Sequence, residues 1–126
     1  MVRDIKFRGW DTLHKTMTTN LHDDYIIGEW ARDPRFVVLQ YTGLKDKQGV
    51  EIYEGDVVEV TEMPNSPDER HYVAEIIYKD ACFLIKESGK IEIPLREITY
   101  EPYSNGYHPL TCSVIGNKYE NPELIA

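Results

Sequence analysis

Two carboxylates, Glu54 and Asp56, flank Gly55 and are the pair in this chain best placed to share acid–base chemistry. Such chemistry needs one carboxyl group whose pKa is raised by burial or by its neighbour. An aspartate beside a glycine corner also has a structural role, because it accepts hydrogen bonds from nearby backbone amides and so fixes the turn. The sequence favours the structural role, and an enzyme that uses Glu54 and Asp56 remains the alternative.

The other sequence patterns of catalysis are missing. Neither the nucleophile elbow G-x-S-x-G nor a glycine-rich phosphate-binding motif is present. The four histidines lie far apart, and the one local cluster of ligand-type residues, His22-Asp23-Asp24, is typical of a solvated acidic turn. The sequence therefore predicts no catalytic residue, no metal site and no cofactor.

Basic and aromatic residues suggest a binding surface instead. Lys6, Arg8 and Trp10 occupy every second position, so a strand would carry all three on one face, which we expect to be the outer face. Such a stripe could hold an anionic or flat ligand, although a tryptophan that covers the edge of the core is the commoner arrangement. Lys45 and Lys47, in a later polar loop, could extend the basic patch.

The net charge of the chain restricts its partners. Fourteen basic and 22 acidic side chains among 126 residues give a net charge of −8. Phosphate backbones repel such a surface unless its positive charge is segregated, so nonspecific binding to nucleic acid is disfavoured. The acidity favours solubility, or attraction to a basic partner such as the groove of a DNA-binding protein.

Cysteine usage and hydropathy indicate the compartment. Cys82 and Cys112 lie in apolar extended runs, which is typical of buried, reduced thiols rather than of a disulfide or a nucleophile. The first eight residues alternate charged and apolar side chains, unlike a secretory signal, and no apolar run is long enough to span a membrane. The sequence predicts a cytoplasmic protein without a membrane segment.

Period-two alternation and β-branched residues predict a mainly β fold. Residues 40–60 are the clearest case, because glycines 43, 49 and 55 each follow an extended run and mark a corner between strands. Only short helical turns are expected, at residues 95–98 and 121–123. The predicted strands are residues 3–10, 15–18, 36–41, 50–53, 57–60, 71–78, 81–86, 91–93 and 110–115.

Two segments lack this periodicity. Residues 19–35 contain turn-forming residues between isolated apolar contacts, which predicts a loop. Residues 63–70 include Pro64, Asn65, Ser66 and Pro67, which predicts a flexible loop and a seam between two lobes at about 1–62 and 71–126. The length of the chain favours a single domain across residues 1–126.

Four stretches of the chain resemble the YopX family of phage and prophage proteins, and they occur in the order found in that family. The central stretches, Q-Y-T-G-L-K-D and E-I-Y-E-G-D-V-V, are the most specific. Gly9 stands where the family usually has alanine. The four stretches are residues 5–11, 40–46, 51–58, and 115–117 with 120–124.

The resemblance implies a curved antiparallel meander or an incomplete small barrel, made from a phage or prophage gene in a bacterial cytoplasm. It implies no activity and transfers no catalytic residue. Because a well-specified β core stands beside no catalytic constellation, we expect a non-enzymatic module that binds a host or phage protein, or that assembles as a homo-oligomer. Binding of nucleic acid through Lys6, Arg8, Trp10, Lys45 and Lys47 is the alternative, and a carboxylate-dependent enzyme is the second alternative.

Overall fold

The computed structural model describes residues 4–21, 27–90, 92–97 and 110–125. Within these ranges the first half of the chain forms a four-stranded antiparallel sheet in the order β2-β1-β3-β4. We call it the N-terminal sheet. Its strands are β1 (Phe7–Asp11), β2 (Thr16–Thr18), β3 (Phe36–Lys45) and β4 (Glu51–Tyr53).

The second half forms a five-stranded antiparallel sheet in the order β8-β7-β6-β5-β9, which curls into a half-barrel. Strand β5 lies between β6 and β9, although β9 is the last strand of the chain. We call this the C-terminal sheet. Its strands are β5 (Asp56–Glu62), β6 (Arg70–Lys79), β7 (Cys82–Lys86), β8 (Ile93–Pro94) and β9 (Thr111–Asn117).

The predicted fold class, mainly β and antiparallel with short helical turns, is confirmed. Two 3₁₀ turns, Leu95–Glu97 and Pro122–Ile125, lie where the sequence placed helical turns. The helix α1 (Ile27–Arg32) is a correction, because the sequence predicted a loop there. Trp30 of this helix stacks on Phe36 of β3 with ring centroids 4.0 Å apart, so packing rather than periodicity defines the helix.

The two sheets join at a corner after β4. Gly55 adopts φ 85°, a left-handed conformation that side chains disfavour. The loop predicted at residues 63–70 connects β5 to β6, which are neighbours in the C-terminal sheet. The chain passes from the N-terminal to the C-terminal sheet at Glu54-Gly55, between β4 and β5. The division into lobes at about 1–62 and 71–126 stays a prediction.

Most of the core lies on the inner face of the C-terminal sheet. Buried residues of β5, β6, β7 and β9 fill it, together with Ile52, Leu95 and Leu110. The N-terminal sheet has little room on one of its faces, because a Cβ atom on Gly9 would lie 2.7 Å from the ring of Trp30. In the part of the chain that is described, no helix has the length and apolarity needed to cross a membrane.

Candidate functional site

Arg8 and Asp56 form a buried ion pair between the two sheets. Arg8 Nη2 lies 2.5 Å from Asp56 Oδ1, and the two side chains are only 14% and 2% exposed. The other carboxylate oxygen of Asp56 accepts the backbone N–H of Tyr53 at 2.8 Å. Burial raises the pKa of Asp56, and the charge of Arg8 opposes that rise. The pair thus joins β1 to the corner where β5 begins.

Glu54 also stabilises this corner. Its Oε1 accepts the backbone N–H of Gln40 at 3.0 Å, and its own N–H donates to the carbonyl of Gln40 at 3.0 Å. Both carboxylates that flank Gly55 are therefore bonded to backbone amides. This is the structural role that the sequence favoured for them.

Lys6 and Arg8 lie on one face of the N-terminal sheet, but that face is not the outer one. Lys6 Nζ lies 2.5 Å from Glu51 Oε2 and 5.6 Å from the centre of the Tyr41 ring, while Arg8 lies 4.6 Å from the centre of the Tyr53 ring. The expectation of an outward face is wrong because these rings and the buried Asp56 cover it. Both cations are already paired with acids.

Lys45 and Lys47 belong to a different part of the surface. Lys45 ends β3 opposite Glu51 of β4, and Lys47 follows in the exposed loop. The backbone N–H of Lys47 donates to the carbonyl of Cys112 in β9 at 3.0 Å. These residues therefore border β9, whereas Arg8 points into the space between the sheets.

Between these two lysines, Asp46 has a role that the sequence did not reveal. Its carboxylate accepts the backbone N–H groups of Gln48 and Val50 at 2.9 Å each, and that of Val114 in β9 at 2.8 Å. Together with the N–H of Lys47, it occupies the outer edge of β9 as a neighbouring strand would. An aspartate directly before a turn was the local signal, but its partner in β9 is 68 positions away.

Trp10 marks a groove on the surface. The residue is only 6% exposed, so its predicted place on an outer face is wrong, and its ring is tilted against Tyr119 with centroids 5.8 Å apart. The two rings form the floor of a groove of about 640 Å³, within the range of ligand sites. We call it the aromatic groove. It is lined by Trp10, Lys15, Lys118, Tyr119, Glu120 and Pro122.

The hairpin between β1 and β2 positions Lys15 on one wall. Asp11 Oδ1 accepts the N–H groups of Leu13 and His14, and the Asp11 carbonyl accepts the N–H of Lys15. Arg35 donates two hydrogen bonds to the Asp11 carboxylate, and these hold the pKa of Asp11 well below its usual range. A fixed turn therefore presents Lys15, whose own φ is 56°.

The turn after β9 forms the opposite wall. Asn117 Oδ1 accepts the N–H groups of Tyr119 and Glu120 at 3.1 and 2.8 Å. The ring of Tyr119 packs against Gly55, where an added Cβ atom would lie only 2.8 Å from the ring. Burial raises the pKa of Tyr119, so its hydroxyl stays protonated near neutral pH.

Two lysines and one acid line the groove, and one of the lysines is paired with an acid outside the lining. Lys118 Nζ lies 5.4 Å from the centre of the Tyr119 ring and 2.9 Å from Glu75 Oε2. Glu120 accepts a hydrogen bond from the amide of Asn117 at 2.9 Å. Among the described residues, no acid forms an ion pair with the ammonium of Lys15. An anion with a flat or apolar part would complement this surface.

Metal and thiol chemistry find little support in the described ranges. Their His, Cys, Asp and Glu side chains form no cluster of three that could hold a metal ion. The His22-Asp23-Asp24 cluster lies outside the described residues. Cys112 is buried and Cys82 is half-buried, and no disulfide joins them.

The fold and the groove define a small antiparallel β protein in which a half-barrel and a four-stranded sheet meet at an ion-paired corner. A family model described as YopX protein matches residues 15–126, and the chain belongs to that family. The resemblance seen in the sequence is confirmed.

Solved structures agree with this assignment. Protein EF1440 from Enterococcus faecalis is 29% identical, with a TM-score of 0.62 over 99% of this chain and 100% of that one. Protein yopX from Bacillus subtilis is 19% identical, with a TM-score of 0.61 over 96% of this chain and 98% of that one. A search of the curated proteins finds no match.

Proposed function

We propose that this chain is a non-enzymatic binding module, made from a phage or prophage gene in a bacterial cytoplasm, that holds an acidic segment of a protein partner in the aromatic groove. The observation that carries the proposal is the pairing of an aromatic floor, Trp10 and Tyr119, with the ammonium of Lys15. The membership in the YopX family and the resemblance to phage and prophage proteins support the biological setting.

The residues predicted to bind a partner, which include the two carboxylates beside Gly55, support a non-enzymatic role by elimination. Arg8 and Asp56 neutralise each other, Lys6 is paired with Glu51, and Glu54 bonds the backbone. The carboxylates of Glu51, Glu54 and Asp56 are bonded to other groups of the protein itself. None of them is therefore positioned as a general base for an external substrate. The aromatic groove, in contrast, is lined by two aromatic residues and by the exposed Lys15.

The chemistry of the groove indicates the kind of partner. Proline or aromatic side chains pack on aromatic rings, and a nearby carboxylate would reach Lys15. A segment with Asp or Glu next to proline or an aromatic residue therefore fits both parts. The chain carries a net charge of −8, and Lys15 gives the groove a positive group that no acid among the described residues pairs.

The test begins with a random peptide library displayed on phage and selected on the purified chain. We expect the selection to enrich Asp or Glu beside Pro or an aromatic residue. Fluorescence anisotropy with a labelled selected peptide then compares K15E with the control K47E, since both lysines are exposed and only Lys15 lines the groove. K15E should weaken binding about tenfold, and K47E should leave it unchanged.

Three results would overturn the proposal. The selection could enrich no acidic sequence, or K15E and K47E could weaken binding equally, which would indicate attraction to charge in general. A labelled single-stranded or double-stranded oligonucleotide could also bind at about 50 mM salt while the peptide does not, which would favour the nucleic-acid alternative.

A further inference from the structure

A second groove lies on the outer face of the C-terminal sheet. It has a volume of about 590 Å³, and the middle of β6, the end of β7 with the turn that follows it, and the last 3₁₀ turn surround it. We call it the β6–β7 groove. Its apolar surface includes Val73, which is 41% exposed, and Ile125, which is 39% exposed. Exposed apolar side chains that line a concave surface are typical of an interaction site.

The two grooves are neighbours. The 3₁₀ turn Pro122–Ile125 separates them, because Pro122 lines the aromatic groove while Leu124 and Ile125 line the β6–β7 groove. An ion pair also connects them, since Lys118 lines the first, Glu75 lines the second, and Lys118 Nζ lies 2.9 Å from Glu75 Oε2. The two grooves therefore meet at this ion pair.

We propose that both grooves bind one extended segment of the partner protein, with an acidic residue at Lys15 and an apolar side chain against Val73 and Ile125. The inference rests on the proposed function of the aromatic groove and adds the second anchor of its partner. Charge complementarity places the acid in the aromatic groove, where Lys15 lies. The exposed valine and isoleucine place the apolar residue in the β6–β7 groove.

The length of the separating turn sets the spacing of the anchors. A four-residue 3₁₀ turn rises about 2 Å per residue, so it is roughly 8 Å long. An extended strand covers about 3.3 Å per residue. Allowing for the path over the turn, the acid and the apolar anchor should be separated by about three to five residues.

A series of synthetic peptides tests this spacing. Each peptide carries an Asp-Pro unit and a leucine, joined by Gly-Ser spacers of increasing length, and a matched series has alanine in place of leucine. With the unaltered protein, we expect the leucine peptides to bind about tenfold more tightly than the alanine peptides, and only near spacers of about three to five residues.

Variants of the second groove identify the contact. V73T with I125Q should remove the advantage of the leucine peptides and leave the alanine peptides unchanged. V50T is the matched control, because Val50 is 48% exposed and lies outside both grooves. If the leucine peptides still bound more tightly than the alanine peptides to V73T with I125Q, the inference would be wrong. If K15E weakened the binding of both series in that case, the aromatic groove would remain the binding site.

Two further outcomes distinguish a failure of this inference from a failure of the proposed function. If K15E changed neither series, the proposed function itself would fail. If sedimentation showed that the chain dimerises and that V73T with I125Q abolishes the dimer, the β6–β7 groove would belong to a second copy of the chain, and the inference would be wrong.

Discussion

Arg8 and Asp56 show how a pair of side chains can hold two sheets together across 48 positions of sequence. The sequence drew attention to both residues, Arg8 as part of a binding stripe and Asp56 as one of two acids at a corner. Their contact was not predictable, since no local pattern indicates that a side chain of β1 reaches the start of β5 in the other sheet. The sequence therefore identifies individual candidate residues, but it does not predict which residues they contact.

We expect R8M to destabilise the fold by about 3–5 kcal/mol near neutral pH, because it leaves the ionised Asp56 buried without its counterion. The cost should fall on acidification. Burial already raises the pKa of Asp56, and loss of Arg8 would raise it further, so a falling pH protonates the carboxyl and removes the unpaired charge. Urea unfolding at about pH 7 and about pH 5 measures both effects.

The double variant R8M with D56N is the control for this ion pair. An asparagine oxygen can still accept the N–H of Tyr53, and no charge remains to be buried. The double variant should be more stable than R8M at neutral pH, and its free energy of unfolding should lack the pH dependence seen for R8M. Equal destabilisation of R8M at both pH values would show that packing of the arginine stem, rather than charge, is lost.

Turns and strand edges explain most of the charged residues in the central stretch of the sequence. Asp46 replaces a missing strand beside β9, and Gly55 makes the corner on which Tyr119 rests. The strands themselves were predictable because β-branched residues alternate along them. The helix α1 was not predictable, because six residues give no clear periodicity and tertiary contacts of Trp30, which stacks on Phe36 and packs over Gly9, hold the helix in place.

We expect D46A to cost about 2–3 kcal/mol, mainly because the N–H of Val114 loses its acceptor in a partly buried strand. The amide of Val114 should also exchange with solvent faster, since the edge of β9 opens locally. K47A is the control, and it should change the stability by less than about 0.5 kcal/mol, since that side chain is exposed. Unchanged exchange at Val114 in D46A would contradict the edge role.

Gly55 and Gly49 provide a matched test of the corner. Both have φ 85°, so an alanine at either position is strained by roughly 1–2 kcal/mol. Only at Gly55 would the added methyl group also meet a ring, that of Tyr119 at 2.8 Å, whereas the space at Gly49 is open. G55A should therefore destabilise by at least about 1 kcal/mol more than G49A in urea unfolding. Equal costs would show that Tyr119 moves aside freely.

At the scale of the molecule, the two ends of the chain build the candidate site. Trp10 comes from the first motif and Pro122 from the last, and the aromatic groove forms only because β1 and the turn after β9 meet above Gly55. The sequence predicted the β class and most strands from local patterns. It could not predict the division into sheets or the groove, because strand pairing such as β5 with β9 is non-local.

The net charge of −8 also affects the rate at which an acidic partner would reach this groove. The electrostatic field of the whole molecule repels such a peptide at long range. Salt weakens this repulsion, because the Debye length falls from about 30 Å at 0.01 M to about 10 Å at 0.1 M. Contact with Lys15 acts at short range and is screened less. We therefore expect the association rate constant of the selected peptide to rise severalfold between these salt concentrations, measured by stopped-flow fluorescence. K15E should bind more slowly at both concentrations, and K47E should behave as the unaltered chain. An association rate that falls with added salt would mean that the positive charge of the groove outweighs the field of the remaining surface.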